Sequence, residues 1–214
     1  MADRKSRRRY DSPIRREQAA ATRRSILDAA QRLFEAQGYA ATSMAAIAAE
    51  AGVSLKTVYV VFDTKGGILR ALWHLLLRGD ADSVPIGDRE WFRQMLDEPD
   101  PRRQIRLVAE NSRIVKARAG ALIEVIRGAA VADPDIAELW GRIQSEFHQT
   151  QRRIVESLSE KGALDPDLDT ERAADVLWAL NHPSFYWLLA DQRGWTPGEY
   201  ERWLVEILSS ELLA

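Results

Sequence analysis

Residues 43–62, SMAAIAAEAGVSLKTVYVVF, constrain the fold of this chain more than any other stretch. The first half is rich in alanine, which predicts a thin helix that a second helix can approach closely. Gly52 marks a sharp turn, because glycine adopts the left-handed backbone conformation without a steric cost. Ser54 is a suitable N-cap for a second helix, on which Val58 and Phe62 share one face. The stretch therefore predicts two short helices joined by a tight turn.

A longer helix is predicted before this pair, from Ile14 or Glu17 to Gln37, and Gly38 is a suitable terminator. Its apolar side chains form one stripe that would pack on the two short helices: Ile26, Ala30, Leu33 and Phe34. Three helices in this order form a helix-turn-helix arrangement, in which the last helix can enter the major groove of DNA.

The outward-facing residues of this motif are candidate DNA contacts. Lys56 can reach a guanine edge or a phosphate, Thr57 a thymine methyl or a phosphate, and Tyr59 can donate its hydroxyl to a phosphate. Thr42 and Ser43 precede the free N–H groups of a helix, which favour an anion. The predicted contacts within the motif are Thr42, Ser43, Ser54, Leu55, Lys56, Thr57 and Tyr59.

The segment from about Arg16 to Leu72 resembles the DNA-binding domain of the TetR family of transcriptional regulators. The resemblance rests on residue types at fixed spacing: Ser43, Ile47, Ala48, Ala51, Gly52, Val53, Ser54, Thr57, Tyr59, Phe62 and Lys65. It implies a sequence-specific regulator that binds double-stranded operator DNA, with repression as the family default. It also implies that Lys65, at the start of a fourth helix, grips the DNA backbone.

Val60 and Val61 depart from the pattern, because many relatives carry histidine or an aromatic residue there and use it to reach DNA. Valine side chains cannot form hydrogen bonds, so no polar contact is expected at either position. Specificity is then expected from the other outward-facing residues, Leu55, Lys56, Thr57 and Tyr59, together with any contribution from the N-terminal arm.

The charge of the chain is divided unevenly. Residues 1–70 hold 13 Lys and Arg against 7 Asp and Glu, a net charge of +6, whereas residues 71–214 hold the other 17 and 25, a net charge of −8. A basic part joined to an acidic part is typical of a DNA-reading domain attached to a domain of another function. Fluctuation of solvated charges along the sequence is the alternative.

A basic arm is predicted over residues 1–15, where Pro13 and the local polarity disfavour a stable helix. Its arginines, Arg7, Arg8 and Arg9 in particular, could follow DNA phosphates or enter a minor groove. A solubilising tail with only nonspecific attraction is an equally good interpretation.

The remaining residues predict helices and no strand, so the chain is expected to be all-α with about nine helices. A polar loop is predicted at about 79–88, and one helix from Asp169 or Thr170 to Ala190 with a kink at Pro183. Three parts follow: the arm at 1–15, a three-helix helix-turn-helix domain at 16–70, and a helical effector-binding and dimerisation domain at 71–214.

In the family that the chain resembles, a small-molecule cavity lies among helices 4 to 8. Candidate lining residues are Trp73, Trp91, Phe92, Asn111, Phe147, His148, Trp178, Asn181, His182 and Tyr186. Each of these could instead be an ordinary core or solvent-facing residue. An apolar or aromatic ligand is favoured, because seven tryptophans are many for 214 residues. Such a ligand would move helix 4 and change the separation of two recognition helices.

The resemblance also implies a homodimer in which the last two helices pair with their copies. Candidate interface residues are Ala174, Leu177, Phe185, Leu188, Trp203, Leu204, Ile207 and Leu208. Two half-sites fit a dimer, because one recognition helix reads only a few base pairs. Alternatively, both helices fold onto the chain's own core.

Enzyme chemistry has little support, so neither a cofactor nor a metal is expected. The chain has no cysteine, its three histidines show no HExxH spacing, and no glycine-rich phosphate loop is present. No long apolar run predicts a membrane span, and no secretory signal is recognisable, which agrees with a cytoplasmic protein. Two alternatives to a regulator are open: a nonspecific architectural DNA binder, and a helical small-molecule carrier without operator binding.

Overall fold

The computed structural model describes residues 13–78 and 89–214, which fold almost entirely as helices. The helices are α1 (Pro13–Ala41), α2 (Met44–Glu50), α3 (Leu55–Phe62), α4 (Lys65–Arg78), α5 (Glu90–Leu96), α6 (Pro101–Ala129), α7 (Pro134–Glu160), α8 (Thr170–Leu180), α9 (Pro183–Tyr186) and α10 (Pro197–Leu212). The all-α prediction is confirmed over these residues. Arg7, Arg8 and Arg9 of the arm and the predicted loop at 79–88 lie outside the described residues.

The chain divides into two compact units, one ending at Ile68 and the other running from Leu69 to Ala214. In the described residues, no single helix is both long and apolar enough to cross a membrane; α2 and α3 reach that length and composition only as a pair bent by 109°. This bend lies within the range of 90–120° that is usual between the two helices of a helix-turn-helix.

The first unit is built on the apolar faces that the sequence predicts. Ile26, Phe34, Ile47 and Val58 are fully buried, and Phe62 nearly so. Ser43 caps α2 by accepting from the Ala46 N–H, and Ser54 caps α3 by accepting from the Thr57 N–H. Gly52 has a φ of 67°, so the turn between the two helices uses the left-handed region in which glycine is favoured.

α1 is interrupted at Gly38, where φ is 81° and ψ is 167°. This conformation is essentially restricted to glycine, because a Cβ would strain the backbone. The prediction that the first helix breaks at this glycine is therefore confirmed, although helical backbone resumes briefly before Ala41.

The second unit packs α6, α7, α8 and α10 around a common core. Their starts are well defined: Asp100, Asp133, Asp169 and Thr196 each accept a backbone N–H at the N-cap of α6, α7, α8 and α10. Tyr200 is among the largest fully buried side chains, and it packs edge-on against Tyr186, with ring centroids 4.9 Å apart.

The predicted single helix with a kink at Pro183 is wrong. α8 ends at Leu180, and His182 becomes the N-cap of a new helix with Pro183 in its first turn. Proline is favoured there because its missing N–H has no helical partner to lose. α9 then continues as a π-helical segment, Trp187–Gln192.

Gly38→Ala should destabilise the protein by about 1–3 kcal/mol through backbone strain alone, because a methyl group at this position would meet no atom within 4 Å. Gly141→Ala in α7 is the matched control, since its added methyl also meets no atom within 4 Å. That change should stabilise by about 0.5–1 kcal/mol. Urea unfolding followed by circular dichroism measures both, and equal effects would contradict the assignment of strain to Gly38.

Candidate DNA-binding surface and interior sites

α3 presents an exposed face with the residues predicted to contact DNA. Tyr59 is 50% exposed, Leu55 is 41% exposed, and Lys56 is also exposed. Val60 is 77% exposed, which makes it one of the most accessible large apolar side chains of the described residues. This face therefore offers a cation, a phenol and apolar groups together.

The start of α3 is held by a small hydroxyl pair. The Ser54 Oγ accepts from the Thr57 N–H at 3.1 Å and lies 2.8 Å from the Thr57 Oγ1. Thr57 is half-buried, and its hydroxyl is already engaged with Ser54. Ser54 orients the helix, and Ser43 does the same for α2 while remaining exposed.

Thr42 does not fit the predicted phosphate contact. Its side chain is only 1% exposed, and its Oγ1 donates to the Gly38 carbonyl at 2.8 Å and accepts from the Gln37 Nε2 at 3.2 Å. Because α1 is interrupted at Gly38, nearby carbonyls lack helical partners, and the Thr42 hydroxyl satisfies one of them.

Lys65, predicted to grip the DNA backbone, is engaged within the protein. The Lys65 Nζ donates to the carbonyls of Tyr39 and Thr42, both at 2.8 Å, and lies 4.2 Å from the centroid of the Tyr39 ring. Its ammonium group thus fastens the start of α4 to the end of α1 and to Thr42, which follows α1. We refer to Gly38, Tyr39, Thr42 and Lys65 as the α1–α4 junction.

The ten predicted ligand-lining residues do not form one site. Phe92 and Tyr186 belong to the apolar core of the second unit, with exposures of 1% and 7%. Trp73 is also buried, and Trp91 packs edge-on against Phe92 at a centroid distance of 5.7 Å. Asn111 and Phe147 are half-buried. The remaining four residues lie in two clusters between the helices of the second unit.

The first cluster is an interior polar cluster made by Ser112, Lys116, Gln151, Asn181 and Tyr200. The Lys116 Nζ donates to the Asn181 Oδ1 at 2.8 Å and to the Tyr200 hydroxyl at 2.6 Å. Ser112 donates to the same Asn181 oxygen at 2.6 Å, and Asn181 donates to Gln151 at 3.0 Å. One buried hydrogen-bond network therefore joins side chains of α6, α7 and α10 to Asn181, the residue that ends α8.

Lys116 is the functional candidate that sequence reasoning missed. It is 4% exposed, and burial lowers the pKa of its ammonium well below the ordinary value. The signal was present, because Lys116 follows Ser112 by one helical turn on the stripe of α6 that also carries Val108, Ala119 and Leu122. A lysine inside an apolar stripe predicts a buried amine.

The second cluster is aromatic and is made by Trp140, His148, Trp178 and His182. The His182 ring lies 6.3 Å from the Trp140 ring and 5.5 Å from the Trp178 ring, in both cases nearly edge-on. His148 contacts Trp178 at 6.2 Å and pairs through its Nε2 with the exposed Asp175 at 2.8 Å. Burial, and then the charge of Lys116, lowers the pKa of His182.

The predicted dimer-interface residues separate into two groups. Ala174, Leu177, Leu204 and Leu208 are fully buried in the core of their own chain, which leaves their side chains no exposed surface for a partner. Helical periodicity identifies their apolar faces but does not show what those faces contact. Leu188 is 47% exposed, and the other three are half-buried: Phe185, Trp203 and Ile207.

Lys65→Met should destabilise the first unit by about 2–3 kcal/mol, because two hydrogen bonds from a charged donor are lost. Lys56→Met is the control, since Lys56 is exposed on α3, and it should change stability by less than about 0.5 kcal/mol. Thermal unfolding of both variants measures the difference. Equal stability would show that the α1–α4 junction contributes little.

Lys116 should make stability depend on pH, because its lowered pKa means that the folded protein binds this proton less tightly than the unfolded chain. The free energy of unfolding should rise with pH between the lowered pKa and about 10.4, by at most about 1.4 kcal/mol per pH unit. Lys116→Met lacks this contribution. Urea unfolding at several alkaline pH values measures the free energy of unfolding of both proteins. The excess of the unmutated protein over Lys116→Met should grow as the pH rises, whereas a constant difference would contradict the effect of burial.

Comparison with known proteins agrees with the geometry of the first unit. Residues 26–72 match the family model described as bacterial regulatory proteins of the TetR family. The chain is 29% identical over 196 residues to the transcriptional regulator TtgR of Pseudomonas putida, covering 88% of this chain and 90% of TtgR. It is 28% identical over 203 residues to the transcriptional regulator AcrR of Shigella flexneri, covering 92% and 85%.

The fold of the whole chain has a counterpart among solved structures. SmeT, the repressor of a multidrug efflux pump of Stenotrophomonas maltophilia, superimposes in its triclosan complex with a TM-score of 0.69. This match covers 91% of this chain and 92% of SmeT, and at 19% identity it shows a shared fold. The full-length relatives are transcriptional regulators by name, so the chain is a regulator rather than an enzyme. Residues 26–72 are a DNA-binding domain of the TetR family of bacterial regulatory proteins, and the chain resembles full-length regulators of that family.

Proposed function

We propose that this regulator binds a specific operator as a homodimer, represses transcription there, and is released by a small molecule. The observation that carries the proposal is the exposed face of α3, with Lys56 and Tyr59 on a helix that is capped at Ser54. In this proposal residues 1–15 assist binding as an arm, residues 16–70 read DNA, and residues 71–214 bind the effector and dimerise. Operator binding would place the protein in the cytoplasm, with the DNA.

Two copies are needed because one helix in one major groove reads only a few base pairs. Half-sites are usually one helical turn apart, or a multiple of that, and mirror the two-fold symmetry of the protein. The apolar surface that supports self-association contains Leu188 and the half-buried Phe185, Trp203 and Ile207. Phe185 and Trp203 already stack with centroids 5.6 Å apart, which gives this surface a fixed shape.

A ligand can release the operator only if it binds the released conformation better than the DNA-bound one. The two interior clusters of the second unit are the candidate places for such a ligand, and the triclosan complex of SmeT supports a small organic molecule. α4 begins with Lys65 of the α1–α4 junction and continues into the second unit. We infer that a shift of α4 would carry the effect of a ligand to the DNA-reading helices.

The test is a titration of the protein onto its own upstream DNA, followed by fluorescence anisotropy with excess nonspecific competitor at physiological salt. A specific regulator should prefer its site by about 10³ or more, with two chains bound per operator. Lys56→Ala should weaken operator binding about tenfold, since base or phosphate contacts contribute about 1–3 kcal/mol each. Arg142→Ala is the control, because Arg142 is also exposed but lies on α7.

The outcomes separate the alternative functions. Binding that disappears with competitor would indicate a nonspecific architectural binder, or an operator elsewhere that selection from random sequences would find. No binding to any DNA would indicate a small-molecule carrier. Compounds that raise the melting temperature of the protein should then be added to the operator complex. The release mechanism would be refuted if saturating amounts left the operator affinity unchanged.

A further inference from the structure

Besides the Arg70 Nε, three side-chain polar atoms among the described residues of the second unit are buried without a hydrogen-bond partner: the Glu124 Oε1, the Gln144 Oε1 and the Trp178 Nε1. An unpaired buried polar group costs about 1–3 kcal/mol, so native proteins rarely retain several of them close together. Two of these atoms accept hydrogen bonds and one donates. Their chemistry therefore specifies what would satisfy them.

The helix registers bring Gln144 and Trp178 to the aromatic cluster. Trp140, Gln144 and His148 follow one another at intervals of four residues, so they share one face of α7. Trp140 contacts His182 with ring centroids 6.3 Å apart, and His148 contacts Trp178 with ring centroids 6.2 Å apart. Gln144 therefore lies between two aromatic contacts, on the face of α7 that meets α8 and the cap of α9.

The carboxylate of Glu124 on α6 acts electrostatically on His182 of the aromatic cluster. Burial lowers the pKa of His182, and the charge of Glu124 partly opposes this lowering. Burial raises the pKa of Asp191, and the charge of Glu124 raises it further. Arg127 donates to the Glu124 Oε2 twice, at 2.9 and 2.7 Å, and leaves the Oε1 unpaired. The cations near His182 are Lys116, whose charge is disfavoured by burial, and Arg127, whose side chain is 49% exposed.

We propose that this aromatic cluster, together with Glu124 and Gln144, is a subsite for an amphipathic organic cation that carries at least one N–H. The N–H would donate to the unpaired Glu124 Oε1, and the positive charge would lie near the Trp140 and Trp178 rings, which attract cations through their π faces. The apolar part of the ligand would pack against the same rings. This inference rests on the proposed function, because it names the ligand class of its effector.

The test uses three probes with one apolar body and different charges: 4-phenylbutylamine, 4-phenyl-1-butanol and 4-phenylbutyrate. Binding to the full chain is measured by isothermal titration calorimetry near neutral pH. The protonated amine should bind at least tenfold more tightly than the alcohol, and the carboxylate should bind most weakly. Preference for the carboxylate, equal binding of amine and alcohol, or no binding of the amine would each overturn the proposal.

Variants locate the effect at the subsite. Glu124→Gln should weaken amine binding about tenfold or more, which is the usual effect of losing one charge-assisted hydrogen bond, and should leave alcohol binding unchanged. Arg127→Gln should strengthen amine binding, because it removes the cation that compensates Glu124. Glu110→Gln is the control, since Glu110 is exposed on the same helix. Circular dichroism confirms that each variant is folded.

Operator binding of the native protein is measured in parallel with the probes. If the operator is bound specifically and the amine is not preferred, the cation subsite is refuted while the regulator function stands. If the amine is preferred and no operator is bound, the subsite stands and the proposed function fails. Unchanged amine affinity in Glu124→Gln would also refute the subsite, whatever the operator result.

Discussion

The position of the recognition helix depends on which groups donate hydrogen bonds to the backbone carbonyls at the end of α1. Gly38 interrupts the helix, and interrupted helices leave backbone carbonyls without partners. The Thr42 hydroxyl donates to the Gly38 carbonyl, and the Lys65 ammonium donates to the carbonyls of Tyr39 and Thr42. One threonine and one lysine thus fix the positions from which α2 and α4 start. Without these hydrogen bonds, Ser43 and Ser54 would still cap α2 and α3, but the start of α2 would not be held in place relative to α1 and α4.

The second unit uses polar groups in its interior in a different way. Lys116 lies in an apolar core, where its charge is disfavoured, yet its amine joins Asn181 at the end of α8 to Tyr200 of α10. A buried polar network that is fully paired adds little net stability, but it disfavours arrangements in which its members lose their partners. We interpret the cluster as a device that fixes how α6, α8 and α10 meet.

Helical patterns in the sequence were sufficient for most of the helices and for the exposed face of α3. They do not decide whether a given side chain contacts its own chain or a partner. Thr42 and Lys65 have the residue types of DNA contacts, and only the position of the α1 carbonyls shows that both are used inside the protein. Ala174 and Leu177 have the periodicity of an interface, as Leu188 does, but burial is decided by which neighbour each face meets. Proline at 183 permits either a kink or a new helix, and the His182 cap selects the new helix.

The distribution of unpaired polar atoms distinguishes the two units. In the described residues, the buried side-chain atoms without a partner belong to Arg70, Glu124, Gln144 and Trp178, which all lie beyond Ile68. The α1–α4 junction of the DNA-reading unit is already paired, so a ligand has little to gain there. A ligand that pairs the unsatisfied atoms instead stabilises one conformation of the second unit, by an amount equal to its differential affinity. In the proposed release mechanism, a conformation selected in the second unit would act on the recognition helix through α4, which contains residues of both units.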